Sequence, residues 1–345
     1  MNTISRPPGH FLSNRTLLVA FIAGLALSVA GSVLIRMPSS SASVGFVVVC
    51  TIKTVPVPEF PRVLTTFAVE PVAVFLLAAA AVYYLVLFRR VRHTTLKRQF
   101  PLWRALCYLA GIVLVLFTVF GPFAAYDHTF LSIHMLQHFL LITIAPPLLL
   151  AGAPLTLLLV SVGRETRKRY FHPILHSRPF HTFTNPLVGL ALFALIPTLW
   201  YVTPLFERSL TNEWLHYVGY TIFLFAGLHY WWPLVPANPT RWHLPYPVRL
   251  VYLLALVPIH AFLGTMFYEP DRIMYPQLSQ IPRAWGPAPL LDQQAAGAFM
   301  FIAGELIGLI ALMIVAAQWA TAEERATVRK EVEAARRKQQ LTTDN

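Results

Sequence analysis

The chain has 345 residues, of which 56% are hydrophobic and only 12% charged, and its mean hydropathy is +0.58. Soluble domains carry about 25% charged residues, so a water-soluble globular class is excluded. The formal net charge of +12 does not mark a nucleic-acid binder, because the lysines and arginines sit in short blocks between apolar runs, as membrane topology requires. The two cysteines, Cys50 and Cys107, form no CxxC pair, which removes disulfide scaffolds, thiolate zinc sites and thiol–disulfide chemistry.

Apolar runs of roughly 18 or more residues are long enough to span a bilayer. Eight occur, at 16–35, 71–88, 103–121, 129–151, 186–205, 213–235, 248–268 and 292–319. The first is longer than the apolar core of a cleaved signal peptide, which favours an anchor even though SSSAS follows it. Segment 38–66, with Pro56, Pro58 and Pro61, reads as a loop. The fourth run carries His134 and His138 near its start and Pro146 and Pro147 near its middle. These prolines remove two backbone donors and predict a kink. Gly152 and Pro154 mark a second irregularity. The sixth run holds His216 and His229, the seventh His260, and the eighth Asp292 and Glu305. The tail, 321–340, reads as a charged helix, and no internal repeat is visible.

Orientation follows from the positive-inside rule. With the N-terminus inside, the inner segments hold 21 of the 27 basic residues and the outer ones six, among them Arg208, Arg272 and Arg283. The reading is therefore an all-α polytopic membrane helix bundle of about eight spans, both termini cytoplasmic. Its divisions are an N-terminal span and outer loop (1–66), a seven-span membrane domain (67–320) and a charged cytoplasmic tail (321–345).

A helix rises about 1.5 Å per residue, so His134 lies roughly 8 Å and His138 roughly 14 Å below the outer surface. Four residues apart, they share one helix face. Imidazole is the commonest side-chain metal ligand, and polar groups inside a membrane mark function by default. His216, His260 and Asp292 enter the same outer half from three other spans, so His134, His138, His216, Asp292 and His260 form the candidate metal set. Asp292 at a helix start also suits a capping role. Glu305 sits near the midplane and needs protonation or a partner, His260 being one option. His216 and His229 have the 13-residue spacing of diheme helices, but no second span repeats it; a single heme stays open.

Four stretches carry a family resemblance: HMLQHFLL…PPLLLAGAP from 134, NEWLHYVGYTIFLFAGLHYWWPLV at 212–235, FLGTMF at 262–267 and YPQLSQIPRAWGPAPLLDQQAAGAFMF at 275–301. Together they resemble the CtaG-type cytochrome c oxidase assembly factors, a seven-span family linked to caa-type oxidases, over about residues 71–320. The resemblance implies a bacterial plasma-membrane protein, not an enzyme, that matures a heme–copper oxidase by delivering or inserting copper. Its implied partners are cytochrome c oxidase subunits and the lipid bilayer. It places His134, His138, His216, Asp292 and Gln293 on the family's polar signature. The chain departs where the family often has Trp-His: here Tyr201 follows Trp200. The alternatives are a copper or ion transporter, which needs polar residues through the whole membrane, and a membrane heme or redox protein.

Overall fold

The computed structural model describes residues 21–30, 70–280, 283 and 285–343, and among these it is helical with no strand. Loop 38–66 lies outside the described residues, and of the first run only the helical piece α1 (Phe21–Ala30) lies within them. The principal elements after it are α2 (Pro71–Arg92), α3 (Leu102–Phe120), the interrupted α4 (Leu131–Phe139 to Ala145–Ala151), α5 (Pro154–Ser161), α6 (Pro186–Val202), α7 (Glu213–Trp231), α8 (Tyr246–Leu254), α9 (Leu256–Tyr268) and α10 (Pro289–Thr343). Among the described residues, five helical runs are long and apolar enough to cross a membrane: Pro71–Arg92, Leu102–Ala125, Leu131–Ser161, Tyr246–Tyr268 and Pro289–Arg336. Of the remaining runs read from the sequence, α6 is apolar but 17 residues long, and α7 has 19 residues but includes Glu213, His216 and His229. Ile302, Leu306, Leu309 and Met313 of α10 stay exposed, as lipid-facing side chains must.

The bundle is organised around α4, which packs against α3, α7 and α10. Met135, Ala145 and His134 on α4 are fully buried. The double proline shapes its middle. Pro146 and Pro147 have no N–H to donate to the carbonyls four residues earlier, and the helix widens into a π turn over Leu140–Ile144 before resuming. The sequence predicts a kink here; the structure has a single π turn just before the prolines, the short form in which π-helix occurs inside α-helices. Gly227 of α7 packs directly on the Ile142 carbonyl and the Pro146 ring, leaving no room for a Cβ.

The second irregularity, at Gly152 and Pro154, separates α4 from α5. Ala153 adopts a left-handed conformation, φ 52°, which costs a non-glycine residue about 1–2 kcal/mol. Neighbouring side chains hold the break. The Asn238 amide donates to the Leu150 carbonyl (3.0 Å), and its oxygen accepts from the Leu155 N–H (3.1 Å). The Tyr84 hydroxyl donates to the Gly152 carbonyl at 2.7 Å. A further break separates α8 from α9 at Ala255, where Pro258 cannot donate to the Leu254 carbonyl. Helix α10 runs without interruption through the sequence-derived boundary at 320.

Gly227→Ala should force the α4–α7 contact apart and destabilise the protein by about 1–3 kcal/mol, the usual cost of overpacking. Gly308 is the control, since a Cβ added there would meet nothing within 4 Å among the described residues. Gly308→Ala should leave the melting temperature unchanged or raise it, because alanine is the better helix former. Equal melting temperatures for the Gly227→Ala variant and the parent in detergent would refute the close-contact account.

Candidate metal centre

The turn between α3 and α4 brings Asp127 and His128 to the end of the bundle where α4 begins. A short helix, Pro122–Ala125, closes the chain after Gly121, and the Asp127 N–H donates to the Phe123 carbonyl. Asp127 is fully buried. His128 Nδ1 lies 2.6 Å from its Oδ1, the Tyr220 hydroxyl donates to its Oδ2 at 2.6 Å, and His216 Nε2 stands 3.4 Å from Oδ2. Burial alone would raise this carboxyl, but the charge and hydrogen bond of His128, followed by those of His216, hold it well below the usual carboxylate range. One ligand atom from each of Asp127, His128 and His216 lies within 4.8 Å of the others, a spacing that a single metal ion can bridge.

The two histidines of α4 continue this cluster inward. The His134 ring centroid lies 5.2 Å from that of His216 and 4.2 Å from that of His138. Among the described residues, both nitrogens of His134 are buried without a hydrogen-bond partner, as is Nε2 of His138. The other nitrogen of His138, Nδ1, lies 2.6 Å from the Tyr201 hydroxyl. Gln137, between them on the helix, is fixed by donating to the Thr118 carbonyl at 2.8 Å. Imidazoles with a carboxylate suit copper, zinc and iron.

The structure thus brings together His134, His138 and His216 of the sequence-derived set. Asp292 is placed at the start of α4, where it accepts from the Leu131 N–H (2.6 Å) and the Ser132 hydroxyl (2.5 Å) and faces Arg283 at 3.8 Å. It therefore caps a neighbouring helix. Its neighbour Gln293 accepts from the Met274 N–H at 2.8 Å. His260 lies further along the bundle, its ring against Gly304 and 5.9 Å from the Phe139 ring. Glu305 Oε1 has no hydrogen-bond partner among the described residues, so no bond from it reaches His260. His229 Nε2 lies 3.1 Å from the Phe183 carbonyl. Sequence reasoning missed Asp127 and His128 as site residues. The signal was an adjacent Asp-His pair six residues before His134, at the mouth of the same helix.

The sequence model of the cytochrome c oxidase caa3 assembly factor family, Caa3_CtaG, matches residues 82–322. The chain belongs to this family. It is also similar to uncharacterized proteins of Mycobacterium bovis and Mycobacterium tuberculosis, each 28% identical over 284 residues, covering 79% of this chain and 42% of the relative. A third, from Mycobacterium leprae, is 28% identical over the same length, with 43% of the relative covered. The chain therefore spans less than half the length of these curated relatives. No solved structure matches it significantly. The phenol of Tyr201, which follows Trp200, reaches His138 Nδ1 at 2.6 Å.

The depressed value of Asp127 fixes a sign. Its contribution to stability is present above the ordinary carboxylate range and is lost as pH falls through its lowered folded value. Asp127→Asn should lower the melting temperature at neutral pH, and the gap from the parent should close under strongly acid conditions. A gap that stays constant with pH would show that the charge on Asp127 is not what matters.

Proposed function

We propose that this chain supplies copper to a cytochrome c oxidase from a histidine-rich site opening on the outer face of a bacterial plasma membrane. Copper is the cargo here. The observation that carries the reading is the unpartnered imidazole of His134, enclosed beside His138 and His216 and adjoining the Asp127–His128 pair. Buried polar groups normally have partners, and a ligand supplies what these nitrogens lack. Asp292 enters the reading by holding the start of α4 in place. His128 is the member nearest the surface, with 15% of its side chain accessible, and gives the cargo a way in and out. A path through the whole membrane is less favoured, since His229 already has the Phe183 carbonyl.

The orientation belongs to the same reading. Eight spans with both termini inside place 21 basic residues on the inner side and six on the outer, and put Asp127 and His128 outside. Residues 67–320 form the membrane domain, with the charged tail beyond it. Reporter fusions after residues 96, 170 and 340 should register as cytoplasmic, and those after 125 and 280 as external. A cytoplasmic reporter at 125 would turn the site to the wrong side and end the proposal in this form.

Deleting the gene should lower the copper content and activity of the oxidase while heme synthesis continues. Complementation with His134→Ala or His216→Ala should fail although the protein reaches the membrane at parental levels; His229→Ala should complement. Metal binding by the purified parent should weaken on acidification, because protons compete with copper for imidazole. Full oxidase copper in the deletion strain would rule out delivery.

A further inference from the structure

Beyond the outer cluster, on the inner side of His138, lies a small cavity of about 10 Å³, room for a single atom-sized guest. Its wall includes Met135 and His138 of α4, His260 of α9 and Met300 of α10. The rest of the lining is apolar or aromatic apart from Tyr201, and among the described residues no Asp, Glu, Lys or Arg contributes. Among the described residues, His138 Nε2 and His260 Nδ1 are buried without hydrogen-bond partners, and both residues line the cavity. Met135 is fully buried and Met300 nearly so. Gly304, one turn beyond Met300 on α10, leaves the space that the His260 ring fills.

We propose that this cavity is a second, deeper copper station, selective for Cu(I), with Met135, His138, His260 and Met300 as its donors. The proposal rests on copper being the cargo of the outer site. Thioether sulfur is a soft ligand that selects Cu(I). All four donors are neutral, and the cost of moving an ion into an apolar medium rises with the square of its charge, so a monovalent ion is far better tolerated here than a divalent one. The outer cluster, by contrast, offers an ionised carboxylate. His138 stands between the two, its ring 4.2 Å from that of His134 and itself part of the cavity lining, and Tyr201 can accept from its Nδ1–H to leave Nε2 free as a ligand. Transfer between stations needs only ligand exchange, with no change in oxidation state.

The test uses the full-length protein purified in detergent and loaded with Cu(I) under reducing conditions. Copper-edge X-ray absorption should show sulfur as well as nitrogen neighbours. Met135→Leu/Met300→Leu, a volume-conserving pair, should lose the sulfur signal and about one copper per chain. Selenomethionine-labelled parent protein should show copper at the selenium edge, a measurement that needs no mutation. A shell of nitrogen and oxygen alone, as expected if one water bridges His138 and His260, overturns the proposal and leaves the outer site standing. A sulfur signal that survives the double substitution also overturns it. Loss of the nitrogen-bound copper in His216→Ala, with the sulfur signal kept, separates the outer site from this one.

Discussion

Hydrocarbon offers no hydrogen bonds, so every polar group that α4 carries into the bundle must find a partner within the protein. That requirement organises the structure. Around the carbonyls freed by Pro146 and Pro147 the helix widens into a π turn, and the bare backbone of Gly227 packs closely on the Ile142 carbonyl. The break at Ala153 is closed by Asn238 and Tyr84. The first N–H groups of the helix are taken by Asp292 from α10. Against these met requirements, the imidazoles of His134, His138 and His260 retain buried nitrogens with no partner among the described residues. His134 packs ring against ring with His138, and His138 shares one cavity with His260.

The charged and neutral parts of that line are separated. Asp127 is ionised under the influence of His128 and His216 at the mouth, while the chamber beyond His138 is lined by uncharged side chains. The phenols of Tyr220 and Tyr201 mark the two regions, one donating to Asp127 and the other bonded to His138. Each phenol also fixes the orientation of its partner, so the polarity of the line is built into the packing of α6 and α7 against α4.

Much of this is legible in the sequence. Apolar run length and the spacing of His134 and His138 locate the fourth span and the face on which its imidazoles meet, because both depend on local periodicity. The capping role of Asp292 is half visible. Its position at a helix start suggests a cap, but the helix it caps begins about 160 residues away in sequence, and only the tertiary fold brings them together. Asp127 and His128 precede the apolar run, so local pattern assigns them to a loop. Nothing in that pattern says that the Pro122–Ala125 turn tucks them beneath the bundle. Met135 and Met300 carry no pattern distinct from core packing, and their meeting depends on the register of α4 against α10.

That register has a reach of its own. At about 1.5 Å per residue, the unbroken α10 is a rod whose charged end extends tens of ångströms from Met300. Each residue along it turns the rod by about 100°, so the face that the tail presents is locked to the face that Met300 and Gly304 present to the bundle. A single inserted residue near Trp319 would leave every contact around the histidines untouched and yet swing the tail to a different side of the molecule.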